Sequence, residues 1–435
     1  MSLLKLSIRL FLVGCLLLYP KQVQAEETTP AKIVAESAQC RIIETEGSNP
    51  EATLLIPIQG TEGIEISQTL EENDSLTTTD TEKRNVVNRL LDYYRNSNQQ
   101  DTDKKVDFGI IPGPHYSSTA GLGLGILGIA TYSTDMADKS LPRSNASVAF
   151  DMTTKGFFLV GIFGNHIWPH EKFRLDYKAT LSTFNTQFWG IGYDNGDEDD
   201  NETDYRRNRA TAFARFMMKI ANDTYLGASV NYRFFQARGV DIDKRHLWAG
   251  QDRTLNATTV GLSFTYDSRD FILNASRGWY FQLDQTFTPD FLGSGHYGFS
   301  TTEFSCATYR NVWKNGILCG EVHGQFNYGD TPWPLLAEVG SSSRMRGYYE
   351  GRYRDKNLVE GQIELRQFIK GRSGIAIWLA AAQVFPRFKD MRLNHTLPNG
   401  GVGYRWEFKK RINVRIDYGL TRNGSGVTFC LYEAF

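Results

Sequence analysis

The sequence predicts an all-β fold, a sixteen-stranded antiparallel transmembrane β-barrel, on three observations. Apolar and polar residues alternate in segment after segment from about residue 119 to Phe435. In Ile412-Asn413-Val414-Arg415-Ile416-Asp417-Tyr418-Gly419-Leu420 the even positions are apolar and the odd ones polar or Gly. Successive side chains of a strand point to opposite faces, so such a segment has one apolar and one wet face. Second, mean hydropathy is -0.39, and the one long apolar run lies at the N-terminus. A bundle of spanning helices needs runs of about 20 apolar residues, whereas a barrel needs apolar residues only at alternate positions. Third, short connections such as Thr154-Lys155, Ala221-Asn222-Asp223, Asn315-Gly316 and Lys410-Arg411 alternate with longer ones. Outer-membrane barrels have short turns on the periplasmic side and longer loops outside.

Residues 1–25 read as a secretory signal. Lys5 and Arg9 supply the positive end, Leu10 to Tyr19 the apolar core, and Val23-Gln24-Ala25 a small-x-small cleavage site. Leu12-Val13-Gly14-Cys15 also matches a lipoprotein box, but cleavage there leaves a very short apolar core. Four Cys follow the signal: Cys40, Cys306, Cys319 and Cys430. An exported chain permits disulfides. A turn at Asn315-Gly316, however, pairs Cys319 with Val312 and keeps Cys306 apart, so structural thiols are expected. No spacing of Cys and His suggests a metal site.

Residues 26–105 form an N-terminal periplasmic segment. It carries 16 acidic and 8 basic residues and is rich in Thr, Ser, Asn and Gln. Residues 26–80 lack the apolar content of a packed core and read as largely disordered. Val87, Leu90, Leu91 and Tyr94 form a helical stripe, giving one helix near 81–95.

The barrel domain is 106–435. Its strands are expected at 119–132, 146–153, 156–166, 171–181, 185–192, 206–219, 223–236, 256–267, 278–287, 299–311, 316–328, 358–370, 374–386, 400–409, 411–420 and 426–435. With the first strand running outward, the long loops fall outside and Phe435 in the periplasm. On 358–370, Val359, Ile363, Leu365 and Ile369 face lipid, and Glu360, Gln362, Glu364 and Arg366 the lumen. On 400–409, Val402, Tyr404, Trp406 and Phe408 face lipid, with Arg405, Glu407 and Lys409 inside. On 316–328, Leu318, Val322 and Phe326 face lipid, with Glu321, His323, Gln325 and Asn327 inside. A charge on the lipid face costs roughly 2–4 kcal/mol at the midplane, which fixes the register.

The connection Gly340 to Arg354 is long and basic, with Arg344, Arg346, Arg352 and Arg354 among aromatics. The lumen beside it carries Glu360, Glu364, Glu407 and Asp417. Folded inward, the loop would satisfy those carboxylates through bidentate hydrogen bonds.

Arg346-Gly347-Tyr348 resembles the RG(F/Y) motif of the BamA/TamA superfamily of outer-membrane barrels, also called bacterial surface antigens. Tyr266-Asp267-Ser268-Arg269-Asp270, followed by Asn274 and Gly278, resembles that family's strand-turn-strand signature, with Ala275 where the family has Pro. Leu358-Val359-Glu360-Gly361 resembles its strand after the loop, and Pro112 to Gly125 the opening strand of its short members. The resemblance covers about 119–435. It implies sixteen strands around an inward loop clamped by its Arg to acidic wall residues, carried over as Arg346 to Glu360. A second acidic partner belongs on the strand 374–386, which has Leu379-Ala380-Ala381-Ala382 instead, so that either the clamp is one-sided or Asp417 replaces the missing group. It also implies insertion or translocation of proteins, or lipids, at the outer membrane, here without the periplasmic POTRA modules of larger members.

In that family a weak seam between first and last strands is thought to open sideways. Gly121, Gly123, Gly125 and Gly128 weaken the expected first strand; equally, they make room for the loop. The acidic loop 194–204 reads as solvated, with cation binding as the rival reading. No Ser-His-Asp or paired-carboxylate arrangement stands out, so no catalytic residue and no cofactor is assigned. Glu433 departs from the apolar or aromatic residue usual three from the end of such chains. Balanced charge, net -1, gives no reason to invoke nucleic acid. The expected partners are outer-membrane lipid including lipopolysaccharide, protein clients and periplasmic proteins. The rival functions are a passive diffusion channel for small solutes and a surface structural or adhesion protein.

Overall fold

The computed structural model describes residues 105–435, apart from 118–120, 139–140, 155, 242, 273, 293–296 and 410. The expected signal peptide, the expected helix near 81–95, Cys15 and Cys40 lie outside the described residues.

Sixteen strands form one antiparallel meander, each bonded to its neighbour in sequence. They are β1 (Val106–Ser117), β2 (Gly121–Tyr132), β3 (Ser144–Thr153), β4 (Phe158–Ile167), β5 (Phe173–Phe188), β6 (Thr203–Ala221), β7 (Thr224–Arg238), β8 (Thr254–Asp267), β9 (Gly278–Thr288), β10 (Phe299–Trp313), β11 (Gly316–Gly329), β14 (Asn357–Lys370), β15 (Ser373–Phe385), β16 (Leu397–Lys409), β17 (Ile412–Thr421) and β18 (Gly424–Leu431). The two-residue strands β12 (Ala337–Glu338) and β13 (Arg354–Asp355) pair with each other inside the connection 330–356. Among the described residues no ladder joins β1 to β18.

The strand number agrees with expectation, but two departures cancel in it. β1 precedes the first expected strand, 119–132. Its Pro112 and Pro114 are tolerated because, among the described residues, β1 is an edge, where a missing N–H costs no ladder bond. Residues 112–125 are therefore a hairpin, not one opening strand. In the other direction, the segments 171–181 and 185–192 are a single strand. Ser182 and Thr183, between the two expected strands, continue the ladder from Phe173↔Met218 to Phe188↔Thr203. The extra strand inverts the first connections: 133–143 lies on the rim of the short turns, and 154–157 on the rim of the long loops. From β6 onward the expected sides stand.

Gly121, Gly123 and Gly125 consequently belong to the second strand. Gly123 pairs with His115 on one side and Thr153 on the other, and Gly125 with Gly113 and Asp151. They do not form the edge. Cys319 stands opposite Tyr309 rather than Val312, because the turn is Lys314-Asn315 and a bulge follows between Asn311 and Trp313. Cys306 stands opposite Val322, and Cys306, Cys319 and Cys430 are free thiols.

The outward face is an apolar band. Leu262 is 61% exposed, Ile363 61%, Leu379 74% and Val402 56%, whereas their lumen-side neighbours Glu360, Gln362, Glu364 and Arg366 are buried. A side chain that is exposed and apolar on strand after strand has lipid as its solvent. Phe408 departs from the expected lipid face and is buried; a register shift between Glu407 and Lys409 turns it. Under the long loops, Phe188, Tyr205, Phe235, Trp248 and Trp333 pack inside the sheet. The Phe188 and Trp333 rings are 4.9 Å apart and Phe235 and Trp333 5.0 Å.

Leu262→Arg should cost about 2–4 kcal/mol in barrels folded into vesicles, read from the urea midpoint. An unchanged midpoint would mean that this face does not meet lipid.

Candidate functional site: the arginine cluster of the lumen

The connection between β11 and β14 folds into the lumen and places Arg346 at 0% exposure. Its backbone allows this because Met345 (φ 49°) and Gly347 (φ 99°) both adopt the left-handed conformation. Gly347 touches the wall through backbone alone. A Cβ there would lie 2.6 Å from the Gly419 carbonyl oxygen, and one on Gly426 would lie 2.9 Å from Gly347 Cα. The glycine of Arg346-Gly347-Tyr348 is thus required by close approach as well as by φ.

The Arg346 guanidinium lies between two carboxylates. Nη2 is 2.7 Å from Glu364 Oε2 and Nη1 2.9 Å from Asp417 Oδ2. Its face lies 3.7 Å from the Trp378 ring, a cation–π contact. Glu360, expected as the partner, is instead held by His323 Nδ1 at 2.9 Å, with Arg344 at 3.9 Å. The reason is depth: Glu360 and Glu364 share one face of β14, and the loop descends to the second. Asp417, the expected substitute, does meet Arg346. On β15, Trp378 faces Arg346.

The cluster is larger than expected. Glu364 also accepts from Arg366 Nε at 2.6 Å and lies 3.5 Å from Arg405. Asp417 also pairs with Arg405 and Arg415, and Arg415 donates to the Ser342 carbonyl. Glu433 accepts from Arg405 Nε at 2.8 Å and from the Asn413 amide at 2.6 Å. Four guanidinium groups and three carboxylates thus interleave, all of them buried. Sequence reasoning missed Arg366, Arg405, Arg415 and Glu433 as members. The signal was present: Glu364/Arg366 and Arg415/Asp417 are opposite charges two apart on one face, and Glu433 is out of place on a lipid-facing terminus. The cluster ties Glu433 into the lumen, and Phe435 follows, its carbonyl accepting from Arg366 at 3.0 Å and its ring lying 6.2 Å from that of Tyr309.

Further contacts fix the rest of the loop. Arg344 donates to Glu321 at 2.7 Å and to Ser305. Tyr348 donates to the Pro398 carbonyl at 2.8 Å, and the Tyr349 hydroxyl accepts from Gln187 N at 2.8 Å. The acidic loop is anchored rather than merely solvated. Arg352 donates to the Gly196 carbonyl at 2.8 Å, and Tyr353 to Asp197 at 3.0 Å. Asp199 and Asp194 remain exposed. Asp355, at the loop's exit, is pushed up to about 6 by burial, against the opposing Lys356 amide and charge.

The strand-turn signature forms a separate structure. Asp267 and Arg269 make a buried bidentate pair, both contacts 2.8 Å. Burial alone would raise the Asp270 carboxyl. Hydrogen bonds from Ser276 and Arg411 outweigh it and hold it below the ordinary value. Arg411 also donates to the Asn274 carbonyl at 2.8 Å. Gly278 (φ 110°) packs against the Ser268–Arg269 backbone, where a Cβ would lie 2.8 Å from Arg269 Cα. Ile272 reaches Leu141 and Ile167, so this connection is a strap across the short-turn rim. Its residues hold the strap together and bring no group into the arginine cluster.

The Omp85 superfamily domain matches residues 161–420. Among solved structures, BamA from Haemophilus ducreyi lacking POTRA domains 1–3 is similar over 75% of this chain and 69% of its own, at 10% identity and TM-score 0.50. CdiB from Acinetobacter baumannii covers 75% of this chain and 60% of its own, at 10% identity and TM-score 0.48. CdiB from Escherichia coli covers 75% and 62%, at 14% identity and TM-score 0.49. No curated protein sequence matches.

Arg346→Ala leaves Glu364 and Asp417 facing each other with one fewer cation. Breaking a buried pair by removing one partner costs about 3–5 kcal/mol, so the folded band on unboiled gels should convert to the slow form at markedly lower temperature. Unchanged heat resistance would remove the clamp. Asp355 gives a pH signature. Its carboxyl titrates higher folded than unfolded, so it stabilises the loop at low pH, and the contribution is lost as pH rises through about 6. Asp355→Asn should flatten protease sensitivity of the loop between pH 5 and 7 (a range of roughly one unit either side). A slope that persists in the variant would assign it elsewhere.

Proposed function

This chain belongs to the Omp85 superfamily of the Gram-negative outer membrane, and on that premise we propose that it inserts or translocates proteins there. The observation that carries the reading is β1, which is an edge of the sheet among the described residues. Its Pro112 and Pro114 have no N–H, and being two apart they leave gaps on the same edge of the strand. A seam made with this strand is short of ladder bonds, and an incoming client strand competes for it by edge-to-edge addition. Gly123 and Gly125, on the strand behind, have no side chains to pack against the lumen contents and leave the hairpin pliable. The arginine cluster does the opposite for the far edge. It ties β14, β16, β17 and residues 432–435 to one loop, so that the β1 side yields while the β17 side holds. Outward-facing apolar side chains would meet lipid, lipopolysaccharide included, throughout.

The test uses the full chain reconstituted in vesicles and a urea-denatured eight-stranded outer-membrane barrel as client. Folding of the client, read as protease protection and gel shift, should be faster than in empty vesicles or vesicles holding an unrelated barrel. Pro112→Val with Pro114→Val restores two donors and should slow client insertion without lowering heat resistance. Client folding no faster than in empty vesicles would contradict the proposal.

A further inference from the structure

The connection between β15 and β16, residues 386–396, lies against the outer face of the sheet. On β15 the odd-numbered residues face outward. Ile375, Ile377 and Leu379 are exposed, while Ala376, Trp378 and Ala382 are buried on the lumen side. Gln383 and Phe385 continue the outward row toward the long-loop rim, yet both are buried. The connection covers them. Gln383 Nε2 donates to the Arg392 carbonyl, and the Phe385 and Phe388 rings lie 5.3 Å apart. Phe388 also reaches Phe326 of β11 at 5.2 Å, and Phe326 stacks on Phe304 of β10 at 6.1 Å. These rings lie at the upper border of the apolar band, where barrels of the outer membrane carry an aromatic girdle.

The segment is held in this place by its own turns and by both ends. Asp390 N donates to the Arg387 carbonyl at 2.8 Å and His395 N to the Arg392 carbonyl at 3.0 Å. Asn357 Nδ2 donates to the Phe385 carbonyl at 3.1 Å, and the His395 ring stacks on Tyr193 at 4.1 Å, 3.8 Å from Asp194. What the segment presents outward is of two kinds. Leu393 is 93% exposed and Phe388 is exposed over more than half its surface. Arg387, Lys389 and Arg392 are exposed beside them. The segment has one carboxylate, Asp390, which accepts from Arg387 Nε at 2.7 Å. Apolar side chains flanked by cations at the level of the girdle suit an interface, with the apolar groups among acyl chains and the cations on anionic headgroups.

We propose that residues 386–396 dock a phosphorylated lipid of the outer leaflet, of the lipopolysaccharide kind. Phe388 and Leu393 enter its acyl chains, and Lys389 and Arg392 hold its phosphates. The occupant is a lipid because the segment is continuous with the outward apolar band, and a free phosphate would leave Leu393 in water. The inference rests on the sheet spanning the outer membrane and not on the insertion of clients.

Two measurements test it. Leu393→Trp is placed in the full chain and reconstituted in phosphatidylcholine vesicles with and without bromine on the acyl chains. The emission that exceeds the wild type's should be blue-shifted and quenched by the brominated chains. Emission that bromine leaves unquenched, whether water-like or shielded by a second copy of the chain, would overturn the docking. For the phosphates, the folded full chain in neutral detergent at low salt is mixed with diphosphorylated lipid A, and the lipid retained after gel filtration is measured. Lys389→Gln with Arg392→Gln should retain roughly tenfold less. The wild type should retain dephosphorylated lipid A as poorly as the variant retains the diphosphorylated form. Lys219→Gln, on the short-turn rim beside Glu171, should behave as the wild type does. Equal retention of lipid A by the folded double variant, or of both lipids by the wild type, would overturn the phosphate assignment.

Discussion

The structure turns on one ion pair arrangement: the Arg346 guanidinium, fully buried, between Glu364 and Asp417. A lumen packed with a loop has little water to spare, and each charge taken from water must be paired and hydrogen-bonded or it is expelled. The sheet presents carboxylates from β14 and β17 at one depth, and the loop brings the cation to meet them. Gly347 lets the backbone come close enough, and Trp378 closes the open face of the guanidinium. Arg366 then pairs with Glu364, and Arg405 and Arg415 with Asp417. The inward loop is therefore a consequence of wall charge, since a neutral wall would give an Arg-rich segment no reason to leave solvent.

The same reasoning separates the two halves of the sheet. On the β14–β17 side, charges of both signs interleave and bind the loop, the wall and residues 432–435 into one unit. β1, at the other edge of the described sheet, has two prolines and a glycine-bearing neighbour.

Much of this was legible in the sequence, because two-residue alternation is a direct image of the two faces of a strand. Glu360, Gln362, Glu364 and Arg366 could be assigned to the lumen from their parity. Depth could not be so assigned. Moving from Glu360 to Glu364 keeps the face and changes only the distance along the strand, and that is set by how far the loop descends. Parity also hides compensating errors: an edge strand lies ahead of the first expected one, and Ser182-Thr183, between two expected strands, lies inside a sixteen-residue strand. Prolines read as breakers only where a neighbour needs the N–H, and that is known only once the edge is known. Glu433 was visible as an anomaly, but its partners Arg405 and Asn413 lie on other strands, and no local pattern points to them.

The account's central claim is that Arg346 is held by Glu364 and Asp417 and not by Glu360. Double-mutant cycles on the urea-unfolding free energy of the vesicle-inserted barrel measure it, pairing Arg346→Ala with Glu364→Gln and, separately, with Glu360→Gln. Residues in one ion-pair network couple by about 0.5–3 kcal/mol, and independent ones add within about 0.5 kcal/mol. The account predicts coupling in the first cycle and additivity in the second. Coupling of Arg346 to Glu360 with additivity at Glu364 would contradict it.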